Sequence, residues 1–317
     1  MSQLSDNSLT PTRSFTSLGL FFSLLSGQWR PGEHWHQRSF RRKFMLRSLL
    51  MPRLSRDLMR ELSQWPNLSA VMARQPRLPV RLHRPYLAMN FDRSLVSSAL
   101  RYHYKLLSDS MSSEEFEAYL NSKHFPLANI EGKNGEVFSL VLTMEVNLDK
   151  EGDSTILMHN SNGDTLAEMT FTILNYKGKR TLFIGGLQGG IRSLPHAAIQ
   201  EATKACHGLF PKRLVMEAVC RFAGRLQVEQ ILAVSNAVHI FRAERYHDKN
   251  KNILSDYNTF WEAVGGECDQ TGYFHISGTI ARKDIADIAS KKRAEYRRRY
   301  ELMDTIDSQM STLFSQR

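Results

Sequence analysis

The residues best placed to do chemistry sit at the joints between elements. Lys212 and Arg213 follow Gly208-Leu209-Phe210-Pro211, where Pro211 suits the first turn of a helix. Backbone N–H groups at a helix start favour anions. Two cations at that end oppose the helix dipole unless an anion lies beside them, so the pattern points to a phosphorylated ligand. Upstream, Gly185-Gly186-Leu187-Gln188-Gly189-Gly190 ends a strand-like run. Paired glycines let backbone approach a ligand closely, which makes Gln188 and Gly189 candidates to hold a phosphate or a pantetheine. A glycine-rich corner without a ligand has the same pattern, and GGxxGG is neither GxGxxG nor a Walker A loop. Asn236 and His239 follow the strand-like Ile231–Val234, at the end where α/β sheets bind ligands. His239 is a candidate general base, and Asn236 a group to orient a carbonyl or a water. Glu262 is a second candidate acid or base, in a short aromatic helix whose Phe260 and Trp261 read as core anchors and whose Gly265 is a stop. No triad spacing, HExxH or cysteine–histidine metal pattern accompanies these residues.

The elements that must position them change in texture along the chain. Residues 1–13 read as a polar, disordered tail. Residues 14–125 read as a helical region. There Leu46, Leu49, Leu50, Leu54, Leu58 and Leu62 recur at three- and four-residue steps, a stripe expected to pack on a core with arginines opposite, although a basic amphipathic helix lying on a membrane surface has the same pattern. Pro52 breaks that run, and Pro76, Pro79 and Pro85 make residues 75–86 an expected extended linker. Helices are expected over 93–107 and 112–122, the second opened by a capping box of Ser112 and Glu115. Residues 126–281 read as a mixed α/β domain, an antiparallel meander over 136–186 followed by alternating helix and strand. Residues 282–317 read as a basic helix, with Tyr296 and Tyr300 on one stripe. The fold class is thus α+β, or mixed α/β: a helical N-terminal region, a mixed sheet with flanking helices, and a basic C-terminal helix.

Composition bounds the function. The 317 residues are 42% hydrophobic and carry 42 Lys+Arg against 32 Asp+Glu, a net +10. The excess gathers around Arg41, Arg42 and Lys43 and around Lys291, Lys292 and Arg293. Such clusters suit an anionic membrane surface, and less well a nucleic acid, since no nucleic-acid-binding motif accompanies them. A solvated basic face has the same composition. The apolar run Leu18–Leu25 is too short for the ~20 residues of a membrane span and lacks a signal cleavage site, so a buried or interfacial helix is expected. Three scattered cysteines fit a reducing compartment and read as small buried apolar residues. No metal is expected.

The series FIGGLQGG, TKACHGLFPKRL, ILAVSNAVH, YNTFWEAVGG and SKKRAEYRRRYELMD, preceded by RPY and RYHYKLL, resembles the VirK/YbjX family of Gram-negative bacteria across residues 35–306. The resemblance implies a cytoplasmic binding or regulatory factor, or one peripheral at the inner membrane, in an envelope-stress or virulence setting. It also implies a link to antimicrobial-peptide resistance and surface-protein display, and it supplies no catalytic residues. The order of elements is also similar to GNAT acyltransferases. That likeness implies an acyl-CoA or an acyl carrier protein as cofactor, its phosphates at Gly208–Arg213. The R/Q-x-x-G-x-G/A loop of those enzymes is missing, Pro211 stands at its last glycine, and Trp261 replaces a frequent catalytic tyrosine.

Overall fold

The computed structural model describes residues 15–144, 148–190, 194–246 and 256–314. The tail expected over 1–13 lies outside them. Two compact units form, one ending at Arg84 and one beginning at Pro85.

The first unit is helical: α1 (Ser17–Ser26), α2 (Arg38–Leu50), α3 (Pro52–Ser63) and α4 (Leu68–Arg74), with 3-10 turns at Glu33–His36 and Leu78–His83. Trp35 is its anchor. It is fully buried, meets Phe40 and Phe44 edge-on, and donates its indole N–H to the Pro76 carbonyl at 2.6 Å. The expected leucine stripe divides at Pro52. Leu58 and Leu62 of α3 are buried, whereas Leu46, Leu49 and Leu50 of α2 face solvent. A proline at the first helical position starts a new helix, so the phase read across it is lost. Between α2 and the core lies Arg41 instead, buried, its guanidinium donating to the carbonyls of Leu25, Trp35 and His36. Its charge therefore serves the interior and not a membrane. The expected extended linker over 75–86 is also different. Leu78–His83 is a wholly buried 3-10 turn, for which the fixed φ of Pro79 is already suitable.

The second unit opens with α5 (Arg93–Ser110) and α6 (Ser113–Asn121). The capping box forms, with Ser112 Oγ accepting from the Glu115 N–H at 3.1 Å and Glu115 Oε2 from the Ser112 N–H at 2.8 Å. Five strands follow as an antiparallel meander: β1 (Phe125–Glu131), β2 (Val137–Thr143), β3 (Ser154–His159), β4 (Thr165–Tyr176) and β5 (Lys179–Gly189). Positive φ at Lys177 (52°) and Gly178 (83°) gives the β4–β5 hairpin a two-residue turn of the primed kind. Then come α7 (His196–Ala205), α8 (Pro211–Arg225), β6 (Gln230–Val234), α9 (Tyr257–Ala263), β7 (Glu267–Cys268), β8 (Tyr273–Ile276) and α10 (Ser290–Met310). The helix expected from 282 begins at Ser290. Its buried side is Leu302, Met303, Ile306 and Met310, with Tyr296 and Tyr300 only half-buried.

The sheet order is β1-β2-β3-β4-β5-β6-β8-β7, and β5–β6 is its parallel pair. Residues 169–174 of β4 are all buried. Successive strand residues face opposite sides, so both faces of β4 are covered; α5 and α8 pack against it.

Candidate functional site

The site grows from one irregularity. The β4–β5 register shifts between Thr170 and Phe171, which pair with Gly186 and Ile184, so Gly185 is skipped as a bulge. The parallel pairing of β5 with β6 ends at the same level, at Ile184 and Ala233, while β5 runs on to Gly189. A gap opens beside β5, and Glu151 fills it. The backbone of Glu151 stands where a Cβ on Gly185 would be, and its carboxyl where a Cβ on Gly186 would be. The glycine pair is thus inside a strand, and its role is to admit a glutamate.

A short strap from Tyr86 to Phe91 fixes the surroundings. The Leu87 N–H donates to the Lys150 carbonyl at 2.8 Å, Ala88 bridges His239, and the Met89 N–H donates to the Val238 carbonyl at 3.0 Å. Leu87 is fully buried at φ 63°, an uncommon backbone state for a leucine. The strap therefore ties the turn bearing Glu151 to the turn bearing His239.

His239 Nε2 lies 3.7 Å from Glu151 Oε1, and both side chains are almost wholly buried. His239 Nδ1 accepts from the Phe241 N–H at 3.3 Å, so a neutral ring carries its proton on Nε2, facing Glu151. Burial, and next the Arg242 charge, push His239 down to about 4. Burial, and next Glu168, hold the Glu151 carboxyl well above the usual carboxylate range. The distance alone would permit an ion pair. Burial with no hydrogen bond to either Glu151 oxygen among the described residues favours the neutral pair, because two desolvated charges need more than one contact to persist. Tyr257 completes the cluster. Its ring lies 5.0 Å from that of His239, its hydroxyl accepts from the Leu187 N–H at 3.2 Å, and burial raises its pKa. Glu168 on β4 is likewise raised by burial.

A second feature lies at the far end of β5. A cavity of about 380 Å³ is bounded by Leu166, Gly189, Phe210, Phe260, Lys212 and Arg213. It is apolar except for the two cations at the start of α8. No side chain caps that start and no acid lies in its first turn. A Cβ on Gly189 would sit 3.6 Å from Lys212 Cε. Arg213 Nη2 reaches Glu217 Oε2 at 3.7 Å, whereas its Nη1 is buried with no hydrogen-bond partner among the described residues. Burial lowers the pKa of both Lys212 and Arg213. A cation stripped of water and short of partners is a receptive place for an anion.

The structure thus brings Gly189, Lys212 and Arg213 to one cavity and His239 to a separate buried cluster. Gln188 is half-buried in the ladder opposite Glu168. Gly208 occupies the turn before α8, at φ 83°, under the Arg299 side chain, which donates to the His207 carbonyl at 2.6 Å. Asn236 is engaged in structure. Its amide N–H donates to Asp256 Oδ1 at 2.9 Å and its Oδ1 accepts from the Tyr257 N–H at 3.0 Å, docking α9 onto the end of β6. Glu262 is exposed on α9. Glu151 is the member that residue patterns left unassigned; the glycine pair was the available signal for a close neighbour there. Cys268 is exposed, in contrast to Cys206 and Cys220.

A buried network beside this site secures the sheet. The Asp153 carboxyl receives the hydroxyls of Tyr86, Tyr104 and Thr172. Ser154 Oγ meets His103 Nε2 at 2.8 Å and Tyr119 Oη at 2.7 Å, while His103 Nδ1 accepts from the Ile173 N–H. These bonds hold α5 and α6 on β3 and β4. Among the described residues no helix is long and apolar enough to cross a membrane.

Comparison with known proteins gives the family. Residues 33–312 match the family model described as a protein of unknown function, DUF535. The chain is 63% identical over 314 residues to the uncharacterized protein YbjX of Escherichia coli (strain K12), covering 99% of this chain and 95% of that one. An uncharacterized protein of Haemophilus influenzae is 28% identical over 218 residues, 68% of this chain and 70% of its own. With a family match over most of its length and a relative this similar, the chain belongs to the DUF535 family, the VirK/YbjX type that its motifs resemble.

Proposed function

We propose that the second unit binds a phosphorylated acyl carrier and transfers its acyl group to an envelope component. The carrier is an acyl-CoA or the phosphopantetheine arm of an acyl carrier protein. One observation carries this reading: the apolar cavity opens beside an uncapped helix start flanked by Lys212 and by an Arg213 nitrogen with no hydrogen-bond partner among the described residues. When bound, the carrier supplies an activated thioester carbonyl. Lys212, Arg213 and the α8 N–H groups neutralise its phosphates, and the cavity shields the chain from water. His239 and Glu151 form a proton-holding pair behind the site, and Glu262 takes no part.

A second reading has its own observation. The Leu187 N–H, the backbone donor freed by the gap, is already held by the Tyr257 hydroxyl. A site closed in this way suits a binding factor that senses acyl carriers without turnover. Envelope remodelling and antimicrobial-peptide resistance, implied by the family likeness, are the setting proposed for either reading.

The test is a thermal-shift titration with palmitoyl-CoA and acyl carrier protein on the native chain and on Lys212→Ala/Arg213→Ala, with thiol release followed in parallel. Ligand at about 100 times its dissociation constant adds about 2.7 kcal/mol of stability. A shift lost in the double variant supports the site. Thiol release with an acceptor present selects transfer, and a shift without release selects the binding factor. No shift with either donor overturns both.

A further inference from the structure

The first unit carries a face that its own core does not explain. On α2, Leu46, Leu49 and Leu50 are 57%, 66% and 81% exposed, and on α1, Leu18 and Phe22 are 66% and 58% exposed. The two helices pack together, with the rings of Phe21 and Phe44 5.0 Å apart. The burial of α2 is inverted relative to an ordinary surface helix. Its inward side is Arg41, Phe44 and Ser48, and its outward side includes three leucines. Exposed apolar side chains scattered singly need no explanation, but five on two adjacent short helices do.

The charge around them is of one sign. Between Ser17 and Arg56 there are eight basic residues and a single acid, Glu33. Arg41 is committed to internal carbonyls, but Arg38, Arg42, Lys43 and Arg53 are exposed. Arg42 and Lys43 lie one to two turns before the leucines on the same helix, and Arg42, Leu46 and Leu49 share one face at steps of four and three.

We infer that α1 and α2 form a docking surface for an anionic phospholipid bilayer, with Leu46, Leu49, Leu50 and Phe22 entering the interface and Arg42 and Lys43 meeting lipid phosphates. Apolar residues beside a basic rim, on helices too short to span, are what an interfacial anchor requires. A second copy of this chain is a poorer occupant, because a two-fold interface would set Arg42 and Lys43 against their own like charges. The inference concerns the first unit alone and stands or falls independently of the acyl-carrier site.

The experiment is flotation of the full chain with vesicles of phosphatidylcholine alone and of phosphatidylcholine with phosphatidylglycerol at 3:1, in low and high salt. Three proteins are compared: native, Arg42→Gln/Lys43→Gln, and Leu46→Ser/Leu49→Ser/Leu50→Ser. The native chain is expected to float with the anionic vesicles only, and less so in high salt. Each basic residue near an anionic surface contributes about fivefold in partitioning, so the charge variant should bind about thirtyfold more weakly. The leucine variant should lose binding while keeping its melting temperature, since the substituted side chains face solvent. Equal binding to both vesicle types, or either variant floating like the native chain, overturns the inference. So does a native dimer that the leucine variant turns into a monomer without any change in flotation.

Discussion

Stability between pH 4 and 6.5 tests the Glu151–His239 pair directly. Burial holds His239 at about 4 in the folded protein, against about 6.5 in an unfolded chain. Between those values the unfolded state binds the extra proton, so the His239 contribution to stability rises with pH across the window and is lost as pH falls through it. The difference is about 2.5 pH units, and at about 1.36 kcal/mol each the full effect is about 3 kcal/mol. Glu151 has the opposite sign. Its folded pKa is raised, so its contribution is complete below the unfolded value and lost as pH rises through the folded one. Urea unfolding of the native chain and of His239→Gln, at half-unit steps from pH 4.5 to 8, measures both limbs. The two contributions oppose each other below pH 6.5, so the readout is the stability of the native chain minus that of the variant, which should rise by about 2–3 kcal/mol from pH 4.5 to 6.5 and stay level above it. An imidazolium–carboxylate pair at the same 3.7 Å separation would instead raise the His239 pKa, and that difference would fall as pH rises above 6.5. A difference with that slope, or one that stays level across the acidic limb, refutes the neutral pair.

Two further outcomes follow from the same region. Gly186→Ala places a methyl group against the Glu151 carboxyl and should destabilise by about 1–3 kcal/mol; Glu151→Ala should relieve part of that cost, so a double-mutant cycle in urea should show coupling of at least about 0.5 kcal/mol. Asp153→Ala removes the acceptor shared by Tyr86, Tyr104 and Thr172, and leaving buried donors short of a partner should cost about 1–3 kcal/mol in the same assay.

Features set by a few neighbouring residues were legible in the sequence. The Ser112–Glu115 box and the stop at Gly265 (φ 85°) are local chemistry, and each appears where the residues place it. Features set by distant partners were not. Glu151 reads as a surface acid in a polar turn until Gly185 and Gly186 leave room for it from another strand. Asn236 has the residue type and position of a ligand contact, yet its amide is taken up by Asp256 and Tyr257 from the next helix. Prolines at 76, 79 and 85 suggested an extended chain because their fixed φ suits extended and 3-10 backbone alike. The α2 leucines have the spacing of a core face, and spacing alone does not say which side of a helix a neighbour covers.

The strap from Tyr86 to Phe91 also orders events during folding. The meander from β1 to β5 pairs strands that follow one another in the chain, so its contacts close short loops. The strap must instead find Lys150 and then His239, across most of the unit, and β5 must wait for β6 to emerge beyond two helices. Loop closure of that length is slow and is rewarded only when the sheet already stands. The gap, its glutamate and its histidine therefore come together at the end of folding. An assay that reads the buried Glu151–His239 contact therefore distinguishes a finished chain from a nearly finished one.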